Sequence, residues 1–154
     1  MIVYLDASAL VKRYVAEAGS TEVGDLIATA AVVGTAVISR AEVSAALAKA
    51  VRMGVLQREE GEAALQVFRV EWPNLVRLQL TEVIAAQADV LAWTHGLRGY
   101  DAVHLAAARF WQASLGETVT LAAFDRQLWE AGPRIGLAVW PEDLAPFLQR
   151  SASE

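Results

Sequence analysis

The chain has 154 residues, a formal net charge of −5, no cysteine and two histidines, His95 and His104. This excludes a disulfide framework, thiol catalysis and cysteine-based zinc sites, and it argues against a broad cationic nucleic-acid surface. With 55% hydrophobic and 20% charged residues, the chain reads as one globular domain over 1–150 with a flexible tail at 151–154.

The apolar start is interrupted by Asp6, unlike a signal peptide, and the longest apolar stretch, 27–38, contains Thr29, Gly34 and Thr35 and is too short to span a bilayer. A cytoplasmic protein without a membrane partner is the resulting expectation. Residues 2–5 form a short buried-strand run, and 8–15 read as a helix that Gly19 and Ser20 end. A helix over 21–30 leads to a β-branched strand at 32–38. Helices follow over 40–53, stopped by Gly54, and over 57–72, stopped by Pro73. Residues 75–80 alternate like a strand, 82–93 like a helix, and 97–100 form a loop around Gly99. An alanine-rich helix over 101–114, a strand at 119–123, a short helix at 125–131 and a last strand at 137–139 complete the chain. This alternation predicts an α/β fold with a central, mainly parallel sheet flanked by helices. The five tryptophans are assigned to burial or to an interface.

In open parallel sheets, ligands bind beyond the carboxyl ends of the strands. Asp6 directly follows the first strand, Glu42 lies in the first turn after the second, and Asp125 follows the strand at 119–123. Asp101 opens the helix before that strand. A simple crossover puts it at the opposite edge, and a helix pair between strands returns it to the same one. Each acid has a structural explanation. Ser39-Arg40-Ala41-Glu42 matches a capping box, and Asp6, Asp101 and Asp125 are well placed as helix N-caps. Their combination points further, because an acid ending an apolar strand is costly unless something uses it. Converging carboxylates repel, so either their pKa values rise or a cation sits among them, and an all-oxygen donor set favours Mg²⁺ or Mn²⁺, as one ion or two. Lys12, Arg13, Arg40, Arg98 and Arg126 recur beside the acids as surface charges or as a rim for phosphate. Ser8 reads as a cap or as a hydroxyl near the metal, and His104, one turn after Asp101, as a core residue or a support to the acids.

Four stretches resemble the motifs of the PIN-domain family, in particular VapC-type toxins of toxin–antitoxin pairs. They are Ile2-Val-Tyr-Leu-Asp6-Ala-Ser8-Ala-Leu-Val-Lys12, Ser39-Arg-Ala-Glu42-Val-Ser-Ala-Ala-Leu, Leu97-Arg-Gly-Tyr-Asp101-Ala-Val-His104-Leu-Ala-Ala-Ala and Leu121-Ala-Ala-Phe-Asp125-Arg-Gln-Leu. The resemblance covers nearly the whole chain in order. It implies a PIN-like α/β/α fold and an acidic pocket of Asp6, Glu42, Asp101 and Asp125 that binds Mg²⁺ or Mn²⁺. It also implies endoribonuclease activity by metal-activated water, homodimerisation and inhibition by a cognate antitoxin. One departure is Ala123, where the fourth motif often carries a small hydroxyl residue.

Two other readings compete. A different Mg²⁺-dependent phosphoester hydrolase of the aspartyl-nucleophile type wants Asp-x-Asp after the first strand, and here Ser8 fills the third position. A non-catalytic protein-interaction or RNA-binding module on the same fold would be indifferent to metal.

Overall fold

The computed structural model describes residues 1–148, so the expectation for 151–154 lies outside the described residues. Five parallel strands form one sheet in the order β3-β2-β1-β4-β5. They are β1 (Ile2–Leu5), β2 (Val32–Ala36), β3 (Val76–Leu78), β4 (Val119–Ala122) and β5 (Ala138–Trp140). The helices are α1 (Ala7–Leu10), α2 (Ser20–Thr29), α3 (Ser39–Arg52), α4 (Arg58–Glu71), α5 (Glu82–His95), α6 (Gly99–Leu115), α7 (Arg126–Arg134) and α8 (Ala145–Leu148). The sheet is wholly parallel where the sequence predicted mainly parallel. The helix expected over 8–15 is instead the single turn α1 followed by a 3-10 turn at Val11–Arg13.

Burial on both faces explains why the strands are continuously apolar. Successive side chains of β1 point to opposite sides. Val3 and Leu5 join a core with Leu10, Val23, Val43, Leu47 and Phe68 from α1 to α4. Tyr4 faces the other core, with Leu91, Leu105, Ala106, Trp111 and Leu128 from α5 to α7. The alanines of α6 are buried, which lets this helix lie close against the sheet.

The chain adds β2 and β3 on one side of β1, then crosses to place β4 on the other. The strand order therefore reverses at β1, and a crevice opens beyond the carboxyl ends of β1 and β4. The crossing is made by the packed pair α5 and α6. Gly96 ends α5 in the left-handed region at φ 64°, which lets the chain reverse before α6 begins at Gly99. Of the tryptophans, Trp72 and Trp111 are buried and Trp129 and Trp140 pack against the first core, whereas Trp93 is 91% exposed.

Gly34 in β2 tests the closeness of this packing. A Cβ there would stand 2.7 Å from Trp111 Cη2 and 3.2 Å from the Val76 carbonyl oxygen. Gly34→Ala is expected to lower the unfolding free energy by about 1–3 kcal/mol. A urea titration should show a lower midpoint at constant slope; an unmoved midpoint would mean that Trp111 yields freely.

Candidate active site

Asp6, Glu42, Asp101 and Asp125 line one pocket of about 400 Å³, together with Ser8, Lys12, Glu17, Arg98 and His104. Each acid stands at the head of a different helix, where the backbone N–H groups favour negative charge. Asp6 caps α1 and accepts a 2.9 Å bond from the Ala9 amide. Asp125 caps α7 and accepts from the Leu128 amide at 3.0 Å. Asp101 is not a cap. Arg98 holds the N-cap position of α6, and Asp101 lies in its first turn.

The capping box at Ser39 and Glu42 does not form, because both side chains have tertiary partners. Ser39 Oγ lies 2.7 Å from Thr35 Oγ1, and the Thr35 hydroxyl donates to the Leu5 carbonyl at 2.6 Å. This buried pair ties the start of α3 to the ends of β1 and β2. Glu42 Oε1 lies 2.7 Å from His104 Nε2, and His104 Nδ1 lies 2.7 Å from the Tyr4 hydroxyl. His104 thus stands behind the acids and supports Glu42. Tyr4 was not legible as a site residue, because it sits inside an apolar strand. Its one signal is that a buried phenol requires a polar partner.

Asp6 is almost wholly buried, and its carboxylate is held by Ser8, whose hydroxyl lies 2.7 and 2.8 Å from the two oxygens. The same hydroxyl accepts from the Phe124 amide at 3.1 Å, which links the end of β1 to the end of β4. Burial pushes the Asp6 pKa up to about 6, although the Ser8 hydroxyl and the Ala9 amide favour the ionised form. The Asp101 pKa is also raised, chiefly by burial, with Asp125 adding repulsion and Arg98 opposing it.

Arg98 bridges two of the acids. Its Nε donates to Asp101 and its Nη2 to Asp125, each at 2.9 Å, while most of its side chain is exposed. Lys12 also lines the pocket and donates to Glu17 at 3.0 Å and to the Ala18 carbonyl at 2.7 Å. The other predicted basic residues are not among the lining. Arg13 pairs with Glu71 at 3.0 Å, and Arg40 lies over the Trp72 ring on a separate groove between α3 and α4. Arg126 opens α7 outside the pocket.

Among the described residues, no three Asp, Glu or His side chains stand close enough, as placed, to enclose one cation. The acids share a pocket while facing Ser8, His104 and Arg98. Their chemistry nevertheless suits a hard divalent ion. The facing donors are carboxylates and a hydroxyl, burial leaves Asp6 and Asp101 short of compensating positive charge, and the Arg98 guanidinium already stands between Asp101 and Asp125 in a cation's role.

The raised Asp6 pKa fixes a sign for stability. The native state retains a proton that the unfolded chain, with a value of 3.8, releases, so stability falls as pH rises between about 4 and 6. Asp6→Asn keeps an acceptor for the Ala9 amide and removes the charge. It should show a shallower decline over that window and exceed the parent at pH 7.5 by on the order of 3 kcal/mol. Denaturant midpoints across pH provide the check, and parallel profiles for the two proteins would rule out a buried charge at this position.

Known proteins resemble this chain over most of its length. Residues 3–131 match the PIN domain family. Ribonuclease VapC45 of Mycobacterium tuberculosis is 34% identical over 146 residues, covering 94% of this chain and 99% of the relative. Among solved structures, the fold is similar to that of the sarcin–ricin-loop-cleaving toxin VapC20 of M. tuberculosis, with a TM-score of 0.62, 19% identity, and coverage of 84% of this chain and 95% of that one. It is similar as well to a chain of a toxin–antitoxin complex from Klebsiella pneumoniae, with a TM-score of 0.59, 16% identity, and coverage of 80% and 86%. No helix among the described residues is long and apolar enough to cross a membrane. By full-length relatedness and by strand order, this chain belongs to the PIN-domain family, in its VapC branch.

Proposed function

We propose that the protein is a Mg²⁺- or Mn²⁺-dependent endoribonuclease and the toxin of a toxin–antitoxin pair. One observation carries this reading: four acids, each opening a different helix, line a single pocket at the point where the strand order reverses. Asp6, Glu42, Asp101 and Asp125 would hold the cation. When bound, it lowers the pKa of a water and offsets the charge that builds on a scissile phosphate.

The chain's own groups do the rest. Ser8 and the Ala9 amide fix the direction of the Asp6 carboxylate. The Arg98 guanidinium exchanges its two carboxylates for phosphate oxygens, which its planar fork matches. Lys12 lines the pocket and offers a second positive charge to the backbone of RNA. Local placement of these two cations answers the acidic net charge of −5.

The proposed partners are RNA, a cognate antitoxin and a second copy of the chain. The antitoxin is supported by the likeness to a chain of a toxin–antitoxin complex. The second copy is supported by α5, which carries exposed Val83, Val90 and Trp93 in addition to its buried face. A helix apolar on its outer side is one that something covers.

Purified protein should cleave RNA internally in the presence of Mg²⁺ or Mn²⁺ and not with EDTA. Asp6→Asn and Asp101→Asn should each lose at least about 100-fold, the scale on which loss of an electrostatic stabiliser acts. Undiminished cleavage by both variants would remove the pocket from the reaction. Trp93→Glu should convert a dimer into a monomer in light scattering while leaving the fold intact; a mass unaffected by the change would place the second copy elsewhere.

A further inference from the structure

We propose that Tyr4 is a positioning residue for Glu42, acting through His104 by deciding which imidazole nitrogen faces that carboxylate. The inference rests on the reading of Glu42 as part of the metal-binding pocket, and it extends that site into the central strand.

Tyr4 is fully buried, and His104 is buried to within 1%. The Tyr4 hydroxyl stands 2.7 Å from His104 Nδ1, and His104 Nε2 stands 2.7 Å from Glu42 Oε1. The two rings meet edge to face with centroids 5.8 Å apart, so packing alone also restrains them. A carboxylate accepts hydrogen bonds and has no proton to give. The nitrogen facing Glu42 must therefore carry the ring proton. In a neutral imidazole that leaves a lone pair on Nδ1, which needs a donor, and the phenol supplies one. The polar contacts then have one direction: Tyr4 O–H donates to Nδ1, and Nε2–H donates to Glu42. With the proton on Nδ1, two lone pairs would oppose each other across the contact with Glu42.

No solvent path substitutes for the phenol, because Tyr4 and His104 are both buried, Tyr4 in the core on the α6 side of β1. Removing the hydroxyl leaves Nδ1 without a partner, and the ring gains freedom to turn away from Glu42. Partners behind a metal ligand typically set affinity by 10- to 100-fold when they are lost.

The test starts with the unaltered protein. Ring-¹⁵N-labelled histidine gives a simple spectrum, since the chain holds only His95 and His104. His104 should show a proton on Nε2 and a bare, hydrogen-bonded Nδ1. A proton on Nδ1, or on both nitrogens, overturns the proposal without any variant. Tyr4→Phe should then broaden the Nε2–H resonance and weaken Mn²⁺ binding, measured by calorimetry, by about tenfold. In a Glu42→Gln background, the same change should weaken Mn²⁺ no further. Equal losses in both backgrounds would mean that Tyr4 acts by some other route, and a sharp, unshifted Nε2–H in Tyr4→Phe would mean that it does not position the ring. Should the unaltered protein bind no Mn²⁺, the metal reading fails, and the nitrogen spectra still decide the role of Tyr4.

Discussion

An ionised carboxylate at the end of a central strand has lost nearly all of its water, and isolated burial of such a charge costs several kcal/mol. Asp6 is in that position. Its surroundings can be read as answers to that cost. Ser8 lies against both of its oxygens, the Ala9 amide donates to one of them, and Ser8 in turn accepts from Phe124. These contacts fasten the end of β1 to the end of β4, the two strands that flank the crevice. The compensation is incomplete, as the raised pKa shows. A site left short of positive charge in this way would suit the cation proposed above.

The same logic extends outward. Thr35 and Ser39 satisfy each other in the core and set the start of α3, which carries Glu42. Arg98 supplies one positive charge shared between Asp101 and Asp125, so these two acids are partly offset by a group of the chain itself. Among the described residues, no buried side-chain polar atom lacks a partner. Unsatisfied side-chain groups are therefore not how this pocket is poised. Uncompensated charge is.

Much of this was legible in the sequence. Apolar runs flanked by helical patterns identified five strands in the right order of type, and all four acids fell at strand ends or helix starts. The misreadings share a cause, which is that local rules were overruled by contacts made in the folded chain. Ser39-x-x-Glu42 fits a capping box, yet Thr35 and His104 take both side chains. The helix over 8–15 tightens into a 3-10 turn after one turn. Arg13 and Arg40 neighbour the acids in sequence and point to Glu71 and Trp72 instead. Tyr4 was invisible because strand periodicity says which face a residue occupies and nothing about what waits there. The placement of Asp101 required the α5–α6 pair, which only length had hinted at. The match to a family, carried by several short motifs at once, supplied what single positions did not.

The strand order has a bearing on synthesis. Ile2 pairs with Val32 on one side and with Val119 on the other. A chain leaving the ribosome can build β1, β2 and β3 early, but the centre of the sheet stays open until β4 has emerged. Non-local pairing of this kind is slow and comes late. Asp125 follows β4, so the full set of acids assembles only after β4 has emerged. A partly made copy that stops before β4 carries Asp6, Glu42 and Asp101 without Asp125, and the pocket stays incomplete until that strand is in place.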